Sequence, residues 1–148
     1  MIDLTGHVAL VTGGSRGIGA EISVVLASLG ARVAVNYCSA GEAAEGVVSR
    51  ISEAGGEALI VEADVRDLDP VRTMFERVES VFGTVDILVN NAGILADKPV
   101  TFLTDEEWDA VVDTSLKGAF HCTKAAVRKM ARARWGRIVN ISSDAGLM

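Results

Sequence analysis

The sequence predicts an α/β fold, a parallel sheet of five strands doubly wound by four helices that cover both faces. Three observations predict it. Short apolar runs alternate with longer stretches whose apolar residues recur at helical spacing, and the first such pair is joined by a glycine-rich turn. The composition, 148 residues with 49% hydrophobic, 23% charged and two prolines, is that of a globular chain rather than a disordered or collagen-like one.

Each element has its own signal. His7-Val-Ala-Leu-Val-Thr12 is a short apolar run that stops at glycines, the pattern of a buried strand. Ile18, Ile22, Val25, Leu26 and Leu29 then fall on one helical face, and Gly30 ends it. Residues 31–36 predict the second strand. Ser39, followed by Glu42, predicts a capping box for a second helix that buries Ala44, Val47, Val48 and Ile51 and closes at Gly55-Gly56. Residues 57–62 predict the third strand. Asp67 is expected to cap the third helix, with Pro70 in its first turn and Val71, Met74, Phe75, Val78 and Phe82 as its buried side. Residues 85–90 predict the fourth strand. A single fourth helix is expected from Thr104, with Glu107 completing a capping box and a long stripe of Trp108, Val111, Val112, Leu116, Ala119, Phe120, Thr123, Val127 and Met130. Residues 137–142 predict the fifth strand.

Sheets of this kind bind ligands beyond the carboxyl ends of their strands, where the strand order reverses. Residues just after each strand are therefore the candidates. Thr12-Gly-Gly-Ser-Arg-Gly-Ile-Gly19 joins strand one to helix one: glycines permit a tight turn and close approach of backbone N–H groups to a pyrophosphate, and the helix N-terminus adds a positive dipole. The spacing of Gly13, Gly17 and Gly19 is GxxxGxG rather than GxGxxG.

With that loop, Asp64 after strand three, Asn90-Asn91-Ala92-Gly93 after strand four and Gly136-Arg-Ile-Val-Asn-Ile-Ser-Ser143 along strand five, the sequence resembles the short-chain dehydrogenase/reductase family over essentially its whole length. It is similar in detail to the 3-oxoacyl-(acyl-carrier-protein) reductase branch. The resemblance implies a Rossmann-type fold in which Gly13, Ser15, Arg16, Gly17 and Gly19 form the pyrophosphate loop and Ile18 lies against the cofactor. It also implies that Asp64 and Val65 frame the adenine, and that Asn90, Ala92 and Gly93 hold strand four and the ribose. For catalysis it implies Ser143 as the serine that positions a carbonyl, with Ser142 the adjacent alternative, and Ser115 at the position of a relay asparagine. The proton-donating Tyr-x-x-x-Lys pair is expected past Met148; the one tyrosine, Tyr37, is followed four residues later by Gly41. Residues 1–148 are thus expected to be a nucleotide-binding domain, incomplete at its C-terminus, that reduces no carbonyl alone. Leu147-Met148 is not expected to be a natural end, since relatives of this fold run to roughly 250 residues.

Cofactor choice follows from charge. A ribose 2′-OH is read by an acid at the end of strand two, whereas a 2′-phosphate needs that acid absent and a cation nearby. Asn36-Tyr37-Cys38-Ser39 contains no acid and Arg16 lies in the glycine loop, so NADP(H) is favoured, with NAD(H) possible. Asn36 is a candidate binding residue on the same ground.

Twenty acidic against 14 basic residues, a net charge of −6, disfavour nucleic acid as a partner. No apolar stretch of about 18 residues predicts a membrane span, the start resembles no secretory leader, and the two cysteines carry no metal motif, so a cytoplasmic protein with reduced thiols is expected. His7 and His121 are expected to be structural. Half of the basic residues lie between Lys117 and Arg137 with no acid among them, a solvated helix face or, near Arg134 and Arg137, a dock for an acidic acyl carrier. The stripe of helix four is too long for one sheet face, which predicts a partner subunit, a homo-oligomer in complete form, or further chain. Two functions remain: an NADPH-dependent reductase acting on a small-molecule or acyl-carrier-linked carbonyl, or a truncated module that binds the nucleotide without turnover. A glycine-rich methyltransferase is disfavoured by the motifs of strands four and five.

Overall fold

A computed structural model describes residues 2–143. The five predicted strands form one parallel sheet: β1 (Val8–Val11), β2 (Arg32–Tyr37), β3 (Ala58–Glu62), β4 (Ile87–Asn90) and β5 (Arg137–Asn140), in the order β3-β2-β1-β4-β5. The chain steps outward from β1 to β3, then returns to place β4 on the other side of β1. The switch point therefore lies between β1 and β4, beside the glycine loop.

The pleat divides the core in two. Val8 and Leu10 of β1 face one layer, which holds Met74, Phe75 and Val78 of α3 (Leu68–Phe82) together with Cys122, Ala126 and Met130 of a later helix. Ala9 and Val11 face the other, against α1 (Gly17–Ser28) and α2 (Gly41–Glu53) with Ala27, Ala44, Val47 and Ile51. Each fully buried Val, Leu or Ile contributes about 1.5–3 kcal/mol of transfer free energy.

Four details differ from expectation. In α1 the buried residues are Gly19, Ala20, Ser23 and Ala27, while Ile18 is 65% exposed and Val25 is exposed. The helix lies close to the sheet under the glycine loop, and only small side chains fit there; the Ser23 hydroxyl is satisfied by the Gly19 carbonyl at 2.8 Å. Ser39 caps nothing: α2 begins after Ala40 without a side-chain cap. Asp67 stands at the N-cap of α3, but its side chain makes no capping bond.

The expected fourth helix is three pieces. Thr104 and Glu107 form the capping box of α4 (Asp105–Val112), a π-helical segment follows at Asp113–Lys117, and α5 (Gly118–Ala133) completes the run. A π segment inserts an extra residue per turn and rotates everything after it. The side of α5 that packs is accordingly Gly118, His121, Cys122, Ala126 and Met130, leaving Leu116 (69%), Phe120 (58%) and, on α4, Trp108 (59%) exposed.

Candidate nucleotide-binding site

The exits of β1 and β4 are stapled together by two polar side chains. Thr12, 2% exposed, accepts at Oγ1 from the N–H groups of Asn91 and Ala92, each at 3.0 Å. Asn91 returns two bonds, its Nδ2 donating to the carbonyls of Thr12 and Gly13 at 3.0 Å. From β2, Asn36 accepts the Gly13 N–H at Oδ1, 3.2 Å, and donates from Nδ2 to the carbonyls of Tyr37, Val61 and Ala63. Asn36 is buried and fully committed to backbone, so it sets the shape of the loop rather than offering a free polar group.

This framework holds the glycine loop in a conformation other residues resist. Gly13 and Gly17 have φ of +60° and +54°. A Cβ on Gly19 would lie 2.4 Å from both Asn91 Nδ2 and the Gly13 carbonyl, whereas one on Gly17 would meet nothing within 4 Å. The loop is packed at its back and open at its front. Arg16 stands at the N-cap of α1 without a side-chain capping bond, so no side chain satisfies the N–H groups of the first turn. A tight glycine turn, uncapped helix donors and a guanidinium together fit a pyrophosphate.

A cavity of about 540 Å³ extends from this loop over the ends of β2, β3 and β4. Of the predicted residues, Gly13, Ser15, Arg16 and Asn36 line it, as do Asp64, Val65, Ala92 and Gly93. Val65 is fixed from behind by α5: a Cβ on Gly118 would touch Val65 Cγ2 at 2.6 Å, and His121 Nδ1 lies 3.0 Å from the Val65 carbonyl. His7 serves at the other end of the sheet, with Nδ1 2.9 Å from the Asp86 carboxylate and its ring stacked on Trp135. Both histidines have the structural surroundings expected of them.

Other candidates fall elsewhere. Gly17 and Ile18 border a separate apolar groove between α1 and α2, so Ile18 does not enter the cavity. Asn90 is buried and donates from Nδ2 to Asn140 Oδ1 (2.8 Å) and Thr123 Oγ1 (3.2 Å), tying β4 to β5 and α5; its Oδ1 is buried without a partner among the described residues. Ser115 lies in the π segment, its Oγ 3.4 Å from a Cβ built on Gly93, at the rim of the cavity where its neighbour Thr114 is part of the lining. Ser143 is exposed three residues beyond β5. Arg134 and Arg137 stand at the amino end of β5, the edge of the sheet opposite the cavity, so the geometry does not support a carrier docked there for delivery to this site.

Sequence reasoning passed over Thr12 and Asn91 as binding-site residues, and Arg66 altogether. The Arg66 guanidinium grips the Asp64 carboxylate, Nε at 3.0 Å from both oxygens and Nη2 at 2.6 Å from Oδ2. That grip holds the Asp64 carboxyl below the usual carboxylate range. Cys38, also in the lining, has its thiol pushed up, first by burial and then by the charge of Asp64.

Comparison with known proteins gives a consistent result. The family model for short chain dehydrogenases matches residues 7–148. A 3-oxoacyl-[acyl-carrier-protein] reductase of Staphylococcus aureus is 48% identical over 138 residues, 93% of this chain and 56% of the relative. One from Synechocystis is 45% identical over 148 residues, all of this chain and 60% of the relative. A dehydrogenase/reductase from Sinorhizobium meliloti superposes with a TM-score of 0.91 at 38% identity, covering 99% of this chain and 57% of that one. The chain spans a little over half the length of the relatives it matches.

Proposed function

Because the chain belongs to the short-chain dehydrogenase family, we propose that its cavity binds a reduced nicotinamide dinucleotide, NADP(H) in preference to NAD(H), and that the intact protein reduces a ketone with it. The substrate is a 3-oxoacyl or similar carbonyl compound, free or linked to an acyl carrier, as the names of its relatives suggest. The observation that carries this reading is the glycine loop at the β1/β4 switch point, closed behind by Asn91 and open toward the helix N-terminus.

The nucleotide, when bound, supplies the hydride. The turns at Gly13 and Gly17 would let the first N–H groups of α1 approach its phosphates, Arg16 would add charge, Asp64 and Val65 would border the adenine, and Ala92 and Gly93 the ribose. Ser143 orients the carbonyl oxygen, and Ser115 stands where it can hold a water in a proton path. The Tyr-x-x-x-Lys pair that would deliver the proton has no counterpart within residues 1–148. The exposed strip of Trp108, Leu116 and Phe120 is covered by another subunit in a homo-oligomer, and the protein works in the cytoplasm.

A nucleotide-binding module without turnover is the second reading, favoured by serine at position 115, where the resemblance implies a relay asparagine. Titration of the intact protein with NADPH and NADH, followed by NADPH oxidation with a 3-oxoacyl thioester, separates the two. Binding with ketone reduction supports the reductase; binding without reduction by any ketone supports the module; binding of neither nucleotide refutes both.

A further inference from the structure

We propose that Arg66, held in place by Asp64, is the cation that selects a 2′-phosphate in this protein, supplying the charge that the end of β2 does not provide. The proposal rests on the NADP(H) reading above and names a residue for it.

The sheet register brings the relevant residues together. Tyr37 and Glu62 form the last pair of β2 and β3, and the Ala63 N–H still donates to the Tyr37 carbonyl, so the two strands leave the sheet side by side. Cys38 on one exit and Asp64 on the other therefore line the same end of the cavity, and Arg66 joins them there. The nucleotide's adenosine half belongs at this end, since the readers of the ribose 2′ position stand where β2 stops.

Charge decides what that end can accept. The charged residues lining the cavity are Arg16, Asp64 and Arg66. Without Arg66, the exit of β3 would present a bare carboxylate beside an uncharged cysteine, a setting that repels a phosphate and suits a hydroxyl. With it, the carboxylate is neutralised and the lining carries one net positive charge.

Arg66 also keeps donors to spare. Its backbone N–H and Nε both donate to Asp64 Oδ1 at 3.0 Å, and Nη2 donates to Oδ2. Of the five guanidinium N–H groups, the Nε and one Nη2 hydrogen are used, and three remain. Nη1 makes no hydrogen bond among the described residues, and the side chain is about half exposed, at 47%. A guanidinium clamped on one edge and open on the other is preorganised to take phosphate oxygens, at less entropic cost than a free lysine or arginine would incur.

The test is a set of binding titrations on the intact protein, wild type, Arg66→Gln and Arg66→Lys, with NADPH, NADH, 2′,5′-ADP and 5′-ADP. The wild type is expected to prefer the two 2′-phosphorylated ligands. Arg66→Gln should weaken NADPH and 2′,5′-ADP by about tenfold or more, as expected for loss of a charge-assisted bond, and leave NADH and 5′-ADP within about twofold. Arg66→Lys should recover part of the loss. Equal weakening of all four ligands would show that Arg66 only braces the loop, and unchanged NADPH affinity would show that it does nothing for the phosphate; either result overturns the proposal while leaving the NADP(H) reading intact. A wild type that binds NADH as tightly as NADPH overturns both.

Discussion

Gly19→Ala is the most demanding test of the loop architecture, because one methyl group meets two partners at once. The added Cβ would sit 2.4 Å from Asn91 Nδ2 and 2.4 Å from the Gly13 carbonyl oxygen. Ordinary contact with carbon begins near 3.5 Å, so something must move by about 1 Å. One obstacle is backbone, and the other is an amide already bonded to the Thr12 and Gly13 carbonyls. Overpacking costs about 1–3 kcal/mol, and a polar group left buried without its partner about 1–3 kcal/mol. The expected loss is therefore about 2–6 kcal/mol, a large share of the roughly 5–15 kcal/mol that holds a domain folded. Nucleotide affinity should fall at least tenfold, since the same atoms shape the phosphate loop. Two companions calibrate the result. Gly17→Ala meets nothing within 4 Å and should cost only the strain of its +54° φ, about 1–2 kcal/mol. Gly46→Ala, in the interior of α2 with open space around it, should stabilise by about 0.5–1 kcal/mol. Equilibrium urea unfolding with NADPH titration measures all three. A Gly19→Ala protein with wild-type midpoint and affinity would refute the packing account of this loop.

Thr12→Val should destabilise by about 1–3 kcal/mol for each N–H left unpaired at Asn91 and Ala92, whereas Thr12→Ser should stay near wild type; urea unfolding distinguishes them. Thiol alkylation should label exposed Cys38 in the native protein and spare Cys122, which is buried, with its pKa pushed up to about 12 by desolvation. At pH 8 such a thiol is only about 1 part in 10,000 thiolate, so Cys122 should react only after unfolding, while the Cys38 rate climbs with pH through its raised value. Rapid native labelling of Cys122 would contradict the packing of α5.

Sequence periodicity revealed the sheet because buried parallel strands are nearly all apolar: Val8–Val11 and Ile87–Asn90 have nowhere else to go. The glycine loop and the β4 exit were legible for a related reason, since their chemistry rests on residue types that are conspicuous by themselves. What stayed hidden was relational. The stripe of Ile18 and Val25 on α1 resembles a core face, yet the helix approaches the sheet through Gly19, Ala20 and Ser23, because closeness rather than hydrophobicity governs packing beneath the loop. The π segment at Asp113–Lys117 has no signature in a 3.6-residue period, and it separates the Trp108 stripe from the side of α5 that is buried. Ser39 followed by Glu42 matches a capping box, but the helix starts one residue later than such a cap requires. Arg66 escaped notice because an arginine two residues from an aspartate is ordinary in sequence and becomes informative only when both line one cavity.

The placement of these residues also separates binding from turnover. The pyrophosphate loop, Asn36, Asp64, Val65, Ala92 and Gly93 are all fixed by β1 to β4 and by the interior side of α5, through hydrogen bonds and close packing that lie within residues 12–122. Ser115 and Ser143, the two candidates for chemistry, stand outside that framework, one in an exposed π turn and the other past the edge strand. Among the described residues, no hydrogen bond joins Ser115 to the glycine loop. Substitutions at the two serines should therefore change the rate of ketone reduction at constant nucleotide affinity, while substitutions in the framework change affinity first. The framework is also the rigid part, because its polar groups are bonded across three strands.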